Sequence, residues 1–343
     1  MKALVELHVH IEGTLEPEMT FAIAQRNKVE LPYADVNDLK QLMDFKDLSS
    51  FLELYYECCA VLQTPDDFSD LMHAYLKRAS QAGVVYAEIF FDPQTHVSRG
   101  VPIDAVIDGL LDGVARAHDL GISAGLIMCF LRDRPVHEAL SVLRSVAGRS
   151  SDLLGVGLDS VEVGNPPSLF AEVFAEARQM GLRLVAHAGE EGPAEYVVEA
   201  LDVLRVDRID HGNRSLENPE LVDRLRRERV PLTVCPLSNV RLNGVTSLEA
   251  HPLKRMLDDG LLVSVNSDDP AYFGGYIDDN FSAVIEVLEL DESDIVALVR
   301  NGIESSFLSE SRKEQLRRLT DDPLPLEISS ATVAANERAS RTE

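Results

Sequence analysis

The chain runs to 343 residues, 45% hydrophobic and 26% charged, a globular composition too long for one small module and short for two full-sized domains. Acidic residues outnumber basic ones by 58 to 32, and the resulting net charge of −26 sets the surface against nucleic-acid phosphates and anionic lipid. No run approaches the roughly 18 apolar residues of a membrane span, Met1 to Val5 lacks the apolar stretch of a secretory leader, and Cys58, Cys59, Cys129 and Cys235 suit buried thiols in a reducing cytoplasm.

The first predicted strand covers residues 3–10, where the period of two puts Leu4, Glu6, His8 and His10 on one face. Helices follow at 16–27, 47–62 and 65–81; the last is capped by Thr64 and stopped near Gly83. Strand 84–91 is too apolar to have a solvated face. From there the alternation is regular: helix 103–120, strand 123–130, helix 136–147, strand 154–160, helix 169–180, strand 183–188, helix 194–204, strand 208–210, helix 219–228, strand 231–235, helix 253–258 and strand 262–266. Apolar strands separated by helices predict a parallel sheet buried on both faces. Eight such units in roughly 270 residues fit a closed (β/α)8 TIM barrel better than an open doubly wound sheet, and no Gly-x-Gly-x-x-Gly follows any strand. Helices at 278–290, 292–304 and 310–319 complete one domain, residues 1–320. Its helical insertion at 17–82 is expected over one barrel end, where it could form a lid; 321–343 reads as a polar tail.

Sites on such barrels lie at the C-terminal strand ends. Four of those ends carry His8-Val9-His10, His187-Ala188-Gly189-Glu190, Asp210-His211-Gly212 and Ser267-Asp268-Asp269-Pro270. Far apart in sequence, these residues meet only in a barrel. Two imidazoles on one strand face, roughly two rises apart, can reach one metal. Adding His187 and Asp268 completes a three-nitrogen, one-oxygen set, with zinc the natural cation. The competing reading of each histidine is a satisfied buried ring; that of Asp269 is a turn-bonded carboxylate.

In that order these motifs, with His8-Val9-His10-Ile11-Glu12-Gly13 as the first, resemble the adenosine and adenine deaminase family of the amidohydrolase superfamily, over about residues 6–308. The resemblance implies one Zn2+ on His8, His10, His187 and Asp268, with Glu190 as proton donor to the purine ring. It implies that His211 assists the attacking water and that Asp269 holds N7. The end of strand four, Leu158-Asp159-Ser160-Val161-Glu162-Val163-Gly164, has no lysine to bridge a second metal. Glu12 stands where nucleoside deaminases carry an aspartate for the ribose, and Glu162 occupies a turn near the sugar-bearing edge. Both are candidate substrate contacts, and the pattern favours adenine, giving hypoxanthine and ammonia. Adenosine is the runner-up, followed by other 6-substituted purines. Another metal-dependent amidohydrolase and a silent binding protein are the readings from other classes. Cys235-Pro236-Leu237-Ser238-Asn239 places Ser238 and Asn239 where they could line the pocket or brace His211; His96 reads as a loop cap. The expected partner is a small purine, and nothing in the sequence marks an oligomer interface.

Overall fold

The computed structural model describes residues 3–45 and 47–321. In chain order the elements are β1 (Leu4–His10), α1 (Pro17–Asn27), α2 (Val36–Leu42), α3 (Leu48–Cys59), α4 (Pro65–Gln81), β2 (Val84–Phe91), α5 (Pro93–Val97), α6 (Ile103–Arg116), β3 (Ser123–Leu131), α7 (Val136–Ser145), β4 (Gly155–Asp159), α8 (Ala171–Gln179) and β5 (Arg183–Ala188). They continue with α9 (Ala194–Glu199), β6 (Arg208–His211), α10 (Pro219–Glu228), β7 (Pro231–Val234), α11 (Pro236–Arg241), α12 (Leu253–Asp258), β8 (Leu262–Val265), α13 (Pro270–Phe273), α14 (Ile277–Val287), α15 (Glu292–Ser305) and α16 (Glu310–Asp321). The strands pair in parallel, β1 through β8 in sequence order, as a TIM barrel requires. Asp321, in α16, is the last described residue, and the rest of the expected tail, 322–343, lies outside the described residues.

The barrel closes through very little. β8 stops at Val265, and beyond it Val9 pairs with Asp268 in an isolated bridge. The Asp268 amide donates to His8 O (3.0 Å) and the His10 amide to Asp268 O (2.9 Å), while Asn266 Oδ1 accepts from the Leu7 amide (2.8 Å). β1 also holds a correction to the sequence reading. Its register against β2 slips by one residue, Glu6 opposite Ala87 and Val9 opposite Ile89. The extra residue breaks the period of two, so Glu6 and His8 part company. Glu6 turns to the Tyr75 hydroxyl of α4 (2.7 Å) and to Ser267, and His8 joins the histidines.

Polar side chains fill a layer inside the barrel. Arg208, wholly buried, donates to Glu88, to Leu7 O (3.0 Å) and to Asp210 Oδ1 (3.4 Å). Asp210 also accepts from Thr233 Oγ1 (2.9 Å), and Glu88 accepts from the Phe307 amide. A charge this deep persists because every partner is present.

The insertion divides in two. α3 lays Leu48, Phe51, Leu52, Tyr55 and Tyr56 over the C-terminal mouth. By contrast, α4 packs outside the barrel on α6, so close that a Cβ on Gly109 would meet Pro65 O at 2.3 Å. It serves as the ordinary crossover between β1 and β2, not as part of a lid. Predicted helix 103–120 is also shorter, because its main body stops at Arg116 and a tight turn follows at His118–Leu120.

Arg208→Met leaves Glu88 and Asp210 buried without their counter-charge. Denaturant unfolding should show stability lowered by about 3–5 kcal/mol, and adding Glu88→Gln should recover part of the loss.

Candidate active site

Two strands, β1 and β5, and the β8–α13 turn deliver the expected cluster. The ring nitrogens of His8, His10 and His187 and a carboxylate oxygen of Asp268 all lie within 4.8 Å of one another, and all four residues are buried. His8 Nε2 stands 3.2 Å from Asp268 Oδ1, and His10 Nε2 is 3.2 Å from His187 Nε2 and 3.5 Å from Asp268 Oδ1.

A polar group stands behind each ring, within hydrogen-bond distance at His8 alone. The Thr233 hydroxyl donates to Asp210, so it accepts from His8 Nδ1 (3.0 Å); that leaves His8 Nε2 with a bare lone pair, buried and without a hydrogen-bond partner. His10 Nδ1 faces Asp159 Oδ2 at 3.6 Å, and His187 Nδ1 faces Asp210 Oδ2 at 3.7 Å. Carboxylates behind imidazoles orient metal-binding histidines in this manner. Burial lowers the pKa of His10, and burial together with His8 and His211 holds His187 far below the usual range, so both stay neutral and able to ligate. Burial alone would raise the Asp268 pKa, but His8, His211 and His10 hold it well below the carboxylate range. Ser238 Oγ donates to its second oxygen at 2.6 Å. Three imidazoles and one carboxylate, with an orphaned nitrogen among them, fit a divalent cation.

Around this centre lie the remaining polar groups. Glu190 Oε2 is 3.5 Å from His211 Nε2, which is 3.8 Å from Asp268 Oδ2. Burial, then the negative charge of Asp268 and Glu162, raises the Glu190 pKa well above the carboxylate range and keeps it protonated. Asp269 is raised in the same direction by burial and Asp268, and its Oδ1 has no partner. The Asp269 side chain crowds the first turn after β1: a Cβ on Gly13 would come within 2.0 Å of its Oδ1, which explains the glycine. His211 and Asp268 both sit at φ +64, a left-handed backbone that costs a non-glycine residue about 1 kcal/mol or more. Such strain at strand ends marks a site held by its surroundings.

Residues 3–323 match the family model described as adenosine deaminase. The chain belongs to the adenosine deaminase family. Among similar proteins are an adenine deaminase of Cupriavidus necator, 55% identical over 90% of this chain and 89% of the relative, and one of Streptomyces coelicolor, 56% identical over 92% and 93%. The crystal structure of an adenine deaminase from Arthrobacter aurescens superposes with a TM-score of 0.92, at 52% identity over 94% of this chain and 98% of that one. An amidohydrolase from Burkholderia ambifaria, solved with bound zinc, is 28% identical with a TM-score of 0.86 over 93% and 90%. Deaminases of this amidohydrolase type imply a divalent metal.

Two of the sequence-predicted substrate contacts are placed elsewhere. Glu162 is buried, with both oxygens occupied by backbone: Oε1 accepts from Gly189 N (2.7 Å), and Oε2 accepts from Glu190, Glu191 and Gly192 N (2.8–3.0 Å). It braces the loop that carries Glu190. Glu12 is also buried, and its Oε1 accepts from Asp92 N (3.0 Å) and from His96 Nε2 (2.8 Å). Burial raises its pKa to about 7. Neither carboxylate lines the cavity, whose walls are Asp92, Leu131, Asp159 and Ser160 in addition to the α3 side chains and the central cluster. His96 is Glu12's partner, not a free loop cap. Arg132 and His251 had no signal in the sequence. The first is buried and donates to His187 O (2.7 Å) and Asn165 O (2.8 Å). The second lies behind Asn239.

Glu162→Gln replaces one acceptor oxygen by a donor among four N–H groups, a mismatch worth about 1–3 kcal/mol. A fall in kcat with KM for substrate nearly unchanged is expected, since the loop displaced is the one that holds Glu190.

Proposed function

We propose that this enzyme hydrolyses adenine to hypoxanthine and ammonia at a single zinc ion held by His8, His10, His187 and Asp268. The observation that carries the proposal is a protonated, buried Glu190 placed across His211 from the cluster in one cavity. Relatives named adenine deaminases, more than half identical over nine-tenths of the chain, favour the free base. The zinc in the Burkholderia amidohydrolase and the imidazole-rich donor set favour that metal.

A cation held by His8, His10, His187 and Asp268 would supply Lewis acidity, activating water for attack at neutral pH. The protein's own groups do the rest. C6 of adenine is a poor electrophile until N1 is protonated, and Glu190 holds the proton for N1. As the water oxygen bonds C6, N1 takes that proton, and the ring becomes tetrahedral at C6. One water proton passes by way of a carboxylate to N6 and the other, released as the C6 carbonyl forms, restores Glu190; the C6–N6 bond breaks, and ammonia leaves with hypoxanthine as product. His211, between Glu190 and Asp268, positions the attacking oxygen. Asp269, protonated and unpartnered at Oδ1, can donate to N7 and pull electron density from C6. Leu48, Phe51, Leu52, Tyr55 and Tyr56 cover the base and exclude bulk water.

Ammonia release should be measured on adenine, adenosine, 2′-deoxyadenosine and 6-substituted purines, with metal content determined on the same preparation. Adenine should be preferred and one zinc found per chain; turnover of adenosine but not adenine would overturn the substrate assignment. Glu190→Gln should lower kcat by about 10²–10⁴-fold, and full activity in that variant would overturn the mechanism.

A further inference from the structure

Behind His211 runs a chain of hydrogen bonds whose direction is set by a group with no freedom. The Leu253 backbone N–H, at the start of α12, donates to His251 Nδ1 (3.1 Å). That nitrogen must therefore accept, and His251, held neutral by burial that lowers its pKa to about 4, carries its proton on Nε2. His251 Nε2 lies 3.2 Å from the Asn239 side chain and can only donate to it, so the atom it meets is the amide oxygen. The amide nitrogen of Asn239 is then turned toward His211 Nδ1, also at 3.2 Å, and donates there. Asn239 and His251 are 1% and 4% exposed, so water offers them little alternative.

We propose that Asn239 and His251 are positioning residues that fix the tautomer of His211, with its proton on Nε2. The inference deepens the reading of this site as a deaminase and rests on it. His211 Nε2 has no hydrogen-bond partner among the described residues and faces Glu190 and Asp268 at 3.5 and 3.8 Å. An N–H there presents a donor to the attacking oxygen and to the charge that gathers on it as C6 becomes tetrahedral. The same proton bars His211 from taking one off the water, since its only free nitrogen is already filled by the Asn239 bond. His211 thus stabilises the oxygen, and the water's proton must go to a carboxylate. Ser238 and Asn239 are adjacent on α11, so one turn of helix serves both partners of that oxygen: Ser238 orients Asp268 and Asn239 orients His211. A wrong tautomer with correct geometry is costly in other enzymes whose histidine is oriented by a neighbouring group.

The test is nuclear magnetic resonance of the metal-loaded enzyme with isotope-labelled histidine, repeated after chelation. His211 is assigned by its absence in His211→Gln, and kcat and KM for adenine are measured alongside. The native enzyme should show His211 protonated at Nε2 in both states. Asn239→Asp offers an acceptor in place of the N–H donor; it should draw the proton to Nδ1 and lower kcat by about 10- to 100-fold, with KM changed by less than about 3-fold. His251→Leu frees the Asn239 amide to rotate and should give mixed tautomers. His251→Gln, which retains an N–H to donate, should restore the native pattern. A native His211 protonated at Nδ1, or an Asn239→Asp enzyme with native tautomer and kcat, would overturn the proposal. A native enzyme with the Nε2 tautomer but no action on adenine would refute the substrate reading and leave the relay standing.

Discussion

The two backbone hydrogen bonds between Asp268 and β1 do two jobs at once. They are the closing link of the barrel, and they hold Asp268 between the carbonyl of His8 and the amide of His10. Asp268 and the two histidines of β1, three of the residues proposed to hold the cation, are therefore placed by the fold's own closure rather than by a loop laid over it. The one-residue slip in β1 belongs to the same arrangement, since it turns His8 inward after Glu6 has faced the helices. Without the slip, His8 would share Glu6's side and the cluster would lose one nitrogen.

The electrostatics follow from that crowding. Asp92, Asp159, Glu190, Asp268 and Asp269 all line one cavity with three neutral histidines. Burial and mutual repulsion raise four of these carboxyls, Asp92 to about 6 and Asp159, Glu190 and Asp269 well above the usual carboxylate range, while Asp268, next to His8, stays ionised. The site thus separates into an anionic Asp268 and protonated acids, the division of labour that hydrolytic deamination needs. The ordered layer beneath, from Arg208 through Asp210 and Thr233 to His8, ties the histidine cluster to the centre of the barrel.

Much of this was legible in the chain. Apolar strands of four to nine residues between helices announced the barrel, and the polar residues at their ends announced the cluster. What escaped has physical reasons. A register slip leaves no trace in a period-of-two pattern, so Glu6 was grouped with His8. The short helices α5, α11 and α13 are too brief to show a helical period, although each begins with a proline a few residues after a strand end. Glu162 on a turn between Val161 and Val163 looks like any solvated carboxylate; only the folded backbone shows four N–H groups converging on it. His251, some forty residues from His211, acquires meaning through Asn239, and no local pattern links the two.

The claim on which the account turns is that closure of the barrel and assembly of the metal centre are one event. Amide hydrogen exchange at His10 and Asp268 during zinc titration of chelated enzyme tests it most directly. The account predicts that protection at both amides rises together, saturating at one equivalent as adenine turnover appears. Zinc binding and full turnover with exchange at these two amides unchanged would contradict it.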